Sequence, residues 1–229
     1  MRALRILLIT AVILGGLFVA ADRLLLGYAE SEAAEKIKAR QGLSGAAEVS
    51  IAGFPFLTQV AGKELERVDV TLRGIETSAN GRRVVISELS AALYDVRLGA
   101  GFSSATATTA TGSARISYAD LAKASDEDVT PAYGGNGKVK VTGSLNVLGR
   151  TISRSVVSTV SLVDGDTIRV RADEVPGEGI PRLEDLIRQK TDFDRKISGL
   201  PQGMKLEKVQ AEEDGLVITL SGTNVPLAG

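Results

Sequence analysis

The sequence predicts an α+β protein: a long, twisted antiparallel sheet wrapped against a few helices. Three observations carry this. From residue 48 onward the apolar residues recur with period two, as in half-buried strands. Asn-Gly and Asp-Gly pairs at 80–81, 164–165 and 214–215 separate such runs and supply the positive φ of tight hairpins. Helical spacing and start signals are confined to a few segments, so the strands meet through hairpins rather than βαβ crossovers.

The N-terminus opens with Arg2 and Arg5, followed by an uncharged run of 16 residues from Ile6 to Ala21 and then Asp22-Arg23. A spanning helix prefers roughly 20 apolar residues. Val19-Ala20-Ala21 has the small residues that suit signal-peptidase cleavage. Residues 1–22 therefore read as a signal peptide or an N-terminal membrane anchor, and both readings stay open. Positive charge on the N-terminal side places the rest of the chain on the outer face of the membrane. Residues 23–229 read as a single domain.

From 22 to about 40, Leu24, Leu25, Tyr28, Ala29 and Ile37 fall at helical spacing. Strands are expected around Val49 and Ile51, and around Val68, Val70 and Leu72. In the run from Val84 to Leu98 the apolar phase changes, which predicts a β-bulge or strong twist near Ser87. The Thr/Ala/Ser-rich segment 104–117 predicts a flat, closely packed strand. Ser117 with Asp120 predicts a capping box opening a helix at SYADLAKAS. Residues 125–137 predict an exposed loop ending in Asn136-Gly137. Strands recur at Val139–Val147, Ile152–Leu162 and Ile168–Val170. Pro181 opens a helix in PRLEDLIRQK, and Leu216, Ile218 and Leu220 form a last strand.

Composition narrows the chemistry. The chain has no Cys and no His, which removes disulfides, thiolate catalysis, most triads, and Cys- or His-based metal sites. A net charge of −1 with interspersed signs gives no basic field for nucleic acid. The acidic clusters at 126–128, 164/166, 173–174 and 212–214 lie at predicted turns, where Asp and Glu serve geometry and solubility. Lys138 and Lys140 read as protection of a sheet edge, with contact to anionic head groups as the alternative. No catalytic residue, metal site or cofactor is expected.

One stretch stands out. GFPFLTQ, residues 53–59, places two of the five phenylalanines around Pro55 in a chain with no Trp. It is either a corner of the core or the wall of an apolar groove. With aromatic residues at 4%, the interior is built from Val, Leu, Ile and Ala, and such an interior leaves room for acyl chains.

GFPFLTQVAGKELERVDVTL (53–72), ARISYADLAK (114–123) and GLPQGMKLEKVQAEEDGLVITLSGTNVPL (199–227), after an N-terminal apolar segment, resemble the LmeA family of actinobacterial phospholipid-binding cell-envelope proteins. The resemblance covers essentially the whole exported region. It implies a periplasmic, non-enzymatic phospholipid binder with a fold similar to tubular lipid-binding (TULIP-like) domains. It also implies a supporting role in lipoglycan assembly of the lipomannan type, with envelope glycosyltransferases as partners. The matching motifs and strand phase put Phe54, Phe56, Leu57, Val68, Val70, Ile116, Tyr118 and Leu121 in the lipid-binding region. Two rivals are a solid-cored scaffold that recruits envelope enzymes and a glycan hydrolase, which needs two converging carboxylates about 5 to 9.5 Å apart.

Overall fold

A computed structural model describes residues 2–41, 45–79, 82–102, 104–124, 129–147, 150–174, 188, 192–197 and 200–228. Helix α1 (Arg2–Gln41) is one continuous rod. It is long and apolar enough to cross a membrane. Residues 2–21 are exposed throughout. Beyond them a stripe at Asp22, Leu26, Ala29, Glu30, Ala33, Ala34 and Ile37 turns toward the body. Leu24, Leu25 and Tyr28, which share the helical spacing, point to solvent.

Strands β1 (Ala47–Ala52), β2 (Glu64–Ala79), β3 (Arg82–Leu98) and β4 (Ala105–Ser117) come next, with the short helix α2 (Phe56–Gly62) between the first two. Helix α3 (Tyr118–Ala124) leads to β5 (Val129–Gly135), β6 (Lys138–Val147), β7 (Arg150–Val163), β8 (Thr167–Ala172) and β9 (Phe193–Lys196). Strands β10 (Met204–Glu212) and β11 (Gly215–Ala228) close the chain. The strands divide between two antiparallel sheets, a six-stranded one in the order β1-β2-β3-β4-β11-β10 and a five-stranded one in the order β5 to β9. The C-terminal hairpin thus completes the first sheet, with β11 paired directly to β4.

One apolar core lies where the second sheet packs on β10, and it joins Val139, Val141, Val156 and Val170 to Leu206, Val209, Ala114 and Ile218. The other lies under the helices, where Leu26 and Phe56 meet Leu65, Leu93, Val96, Ala107 and Ala110. Both use the same face of the six-stranded sheet.

A crease crosses that sheet. Successive inward residues on β2 are Leu65 and Val68, on β3 Leu93 and Val96, on β4 Ala107 and Ala110, and on β11 Gly222 and Val225. Each strand therefore has two consecutive outward residues at the same level. Asp95 (φ 49) and Asn224 (φ 51) supply the left-handed turn there. Register is unbroken on both sides, as Leu65↔Val96 and Arg67↔Tyr94 show. Asn and Asp tolerate this region because their short polar side chains bond locally.

The phase change expected near Ser87 takes a similar form. Arg73↔Glu88 and Ile75↔Ile86 keep one register, and Gly74 between them has φ 65. It is a shared bend of two strands rather than a bulge in one.

The capping box at Ser117 is present in altered form. Asp120 N–H donates to Ser117 Oγ at 3.1 Å, and that hydroxyl donates to the Asp120 carboxylate at 2.7 Å. The Ser117 N–H is instead satisfied by Ser87 Oγ at 3.1 Å. Three expectations need correction. Residues 129–135 form β5 rather than a loop, because their backbone groups are paired along β6. Lys138 and Lys140 stand on β6, which has a neighbour on each side, so they guard no edge. Lys138 pairs with Asp173 at 2.8 Å. In the last hairpin Gly215 already belongs to β11, paired with Glu212. The expected turn at Asn80-Gly81, the acids 126–128 and most of the helix at 181–190 lie outside the described residues.

If the crease depends on left-handed backbone at Asn224, Asn224→Gly should be near neutral. Asn224→Val should cost about 1–2 kcal/mol in urea unfolding, the penalty for a branched side chain in that region.

Candidate functional site

The GFPFLTQ segment folds into a turn fastened at both ends. Gly53 has φ 99, and an added Cβ there would come within 2.4 Å of the Gln59 amide nitrogen. The Phe54–Pro55 peptide is cis. Pro55 occupies the cap position of α2 and offers no side-chain acceptor. A residue from another element supplies one. Asp22 Oδ1 accepts the Leu57 N–H at 2.8 Å, capping α2 from the side of α1.

Gln59 completes the fastening. Its amide donates to the Ala52 carbonyl at 3.3 Å, while its oxygen accepts the Glu66 N–H at 2.8 Å. Glu66 sits on the crease, where it has no ladder partner on β3. The glutamine thus supplies the hydrogen bond that the bend takes away.

Asp22 is wholly buried. Its second oxygen accepts no hydrogen bond, and the nearest cation is the Arg23 guanidinium at 3.5 Å. That guanidinium lies over the Phe54 ring, 4.8 Å from its centroid. Further along α1, Glu30 accepts the Ile51 N–H at 2.7 Å and closes the outer edge of β1.

The two phenylalanines therefore part company. Phe56 is 6% exposed and belongs to the core under the helices, while Phe54 is 57% exposed. Of the other residues predicted for the site, Val68 and Val70 pack at the margin of the same core as Phe56. Leu57 is half-buried and holds Asp22 through its backbone. Ile116 and Tyr118 pack against the other core. Tyr118 donates its hydroxyl to the Glu212 carbonyl at 2.8 Å, and burial pushes its pKa up, so it remains a donor. Leu121 is half-buried on α3. Phe56, Val68 and Val70 thus gather at one core and Ile116 and Tyr118 at the other, joined by the face of the sheet, while Phe54 stays outside both.

That face carries its own pattern. One row runs Val49–Val70–Ala91–Gly112–Leu220–Leu206, a residue from each of the six strands. The next row is Ile51–Val68–Leu93–Ala110–Gly222–Met204. Six strands at about 4.8 Å spacing make each row roughly 24 Å across. In the first row the end residues Val49 and Leu206 are buried, and the central four are only half-buried. Burial is inverted relative to an ordinary sheet, in which the centre is deepest. Helix α1 covers the β1 end and the second sheet covers the β10 end. Between the covers runs an apolar strip whose middle side chains, Ala91 and Gly112, are the smallest.

Asp166, Asp173, Glu212 and Asp214 hold ordinary ion pairs. Asp166 meets Lys196 at 2.8 Å and Asp173 meets Lys138 at 2.8 Å. Both carboxyls are held below their usual range, chiefly by hydrogen bonds from those lysines. Arg115 bridges Glu212 and Asp214. Among the described residues, no group of three or more acidic side chains is placed to hold a metal ion.

A family model for LmeA-like phospholipid-binding proteins matches residues 20–221. The chain belongs to this family. Phospholipid binding comes with that membership. The match begins two residues before Asp22, so it takes in the α1–α2 fastening, GFPFLTQ and all six residues of the first row. No curated protein and no solved structure matches the chain.

Sequence reasoning missed Asp22, Gln59, Ala91 and Gly112. A lone acid directly after an apolar run was the available signal for Asp22. Gln59 had only its place in the motif. The strip residues look ordinary until pairing sets them in one row.

Replacing Asp22 leaves a helix N–H without its acceptor. Asp22→Ala should destabilise the fold by roughly 1–3 kcal/mol and speed hydrogen exchange at Leu57, with Asp22→Asn in between because it keeps an acceptor oxygen.

Proposed function

We propose that this protein is an exported, envelope-facing phospholipid binder that lays a lipid acyl chain along the half-open strip between α1 and the second sheet. The observation that carries the reading is the inverted burial of the central row, with small Ala91 and Gly112 flanked by covered ends. Each methylene taken from water there contributes on the order of 0.8 kcal/mol. Val68, Val70, Leu93 and Ile116 form the walls. Phe56 and Leu57 shape the helical rim.

The headgroup stays near solvent, where the role is one of holding or handing over lipid rather than of catalysis. A curved sheet around a helix is the arrangement of tubular lipid-binding domains, and it suits this use. The apolar, basic-flanked N-terminus supports export, and periplasmic placement with it. In that compartment the bound lipid serves lipoglycan assembly of the lipomannan type, beside envelope glycosyltransferases as partners.

Native mass spectrometry of the full chain released from detergent tests the strip. The wild type should carry phospholipid adducts, and Ala91→Leu, which fills the middle of the row, should lose most of them while melting no lower. Adducts on neither protein would favour a scaffolding role. Equal adducts on both would move the lipid elsewhere.

A further inference from the structure

Strand directions fix which end of the body faces the apolar part of α1. Asp22 meets Leu57, and Glu30 meets Ile51, so the helix runs toward its N-terminus past the end of the sheet that holds Ala52. Antiparallel pairing brings three more segments to that same end. They are the start of β2 at Glu64, the β3–β4 connection after Leu98, and the end of β11, where Ala228 pairs with Ala105. The Leu98 N–H donates to the Lys63 carbonyl at 2.9 Å, which ties the connection to the end of α2.

The exposed apolar side chains gather there. Outside α1, the large ones among the described residues are Phe54 at 57%, Phe102 at 60%, Leu227 at 38%, Val157 at 37% and Tyr133 at 36%. The first three lie at the helix-exit end, and the two phenylalanines are the most exposed. Val157 and Tyr133 belong to the other sheet. Phe102 is held outward by a tight turn, with φ 58 and its N–H donated to the Gly99 carbonyl at 3.1 Å. A bulky ring in left-handed backbone is a costly way to expose a hydrophobe, so the surface has to repay it. On α1 itself, Leu24, Leu25 and Tyr28 stay exposed in the first turns beyond Asp22.

We infer that this end of the six-stranded sheet is seated on a lipid bilayer, with Phe54 and Phe102 entering the boundary between headgroups and acyl chains. The occupant is set by continuity: the patch adjoins a 40-residue helix whose residues 6–21 are uncharged and exposed. Rings with a nearby guanidinium suit the interfacial layer. Arg23 holds its guanidinium over the Phe54 ring, which sets that charge at headgroup level. Lys63 and Arg97 flank the patch at the same level. The seat shares the membrane-facing part of the proposed function and is independent of the strip.

The chain contains no Trp, so a single introduced indole reports alone. Phe54→Trp, Phe102→Trp and Tyr133→Trp are placed one at a time in the full chain, with folding checked by circular dichroism. Each is reconstituted into phosphatidylcholine–phosphatidylglycerol vesicles with dibrominated acyl chains. The seat predicts blue-shifted emission and several-fold stronger bromine quenching at positions 54 and 102 than at 133. The same quenching should persist in an Ala91→Leu background, where strip occupancy is lost. Equal, water-like emission at all three positions overturns the seat. So does a blue shift without bromine quenching that grows with protein concentration, which would assign the patch to a second copy. Quenching that vanishes with Ala91→Leu assigns the signal to lipid in the strip and overturns it too.

Discussion

The arrangement turns on one carboxylate. Asp22 is the first charged residue after the apolar run and is completely buried, a position that costs several kcal/mol for an ion without compensation. Compensation comes from the exposed start of α2, whose N–H groups have no cap of their own because Pro55 precedes them. The helix dipole and the Leu57 N–H meet one oxygen, and Arg23 stands near the other. A rod that would otherwise hang from the body by apolar contact is thereby locked in direction as well as position.

Direction matters because α1 does two jobs. Its C-terminal half is the lid on the β1 side of the sheet, sealing the edge through Glu30 and the face through Leu26. Its N-terminal half leaves the body altogether. A rotation about the helix axis would move Leu26 off the core and expose the Asp22 charge, so lid and exit are set together. The GFPFLTQ turn serves the same end: Phe56 anchors the short helix in the core, Gln59 stitches it to β1 and β2, and Phe54 is left outside beneath Arg23.

Much of the architecture was legible from period and turn chemistry. Asn136-Gly137 and Asp164-Gly165 have the positive φ values their residue types announce. The alanine-rich segment 104–117 holds β4, one of the two central strands, though the crease bends it where a flat strand was expected. What escaped was whatever depends on partners distant in sequence. Leu24, Leu25 and Tyr28 have helical spacing, yet the body chose the neighbouring stripe because Asp22 and Glu30 had backbone N–H groups to meet there. Residues 129–135, with Pro131 and paired glycines, look like a loop, and only pairing along β6 makes them a strand. Nor does a sequence show that strands belong to two sheets. The candidate site divides likewise: Phe56, Val68 and Val70 carry local apolar signals, while Ala91 and Gly112 acquire meaning only from the residues across from them.

The crease has a consequence for how such a chain can vary. Its extra outward residue is present in β2, β3, β4 and β11 at one level, which is why register survives on both sides. Delete that residue from a single strand and everything beyond it exchanges its inner and outer faces relative to three unchanged neighbours. Strand lengths here are therefore inherited as a set. Insertions and deletions are tolerated between strands, and within them only as a coordinated change in all four.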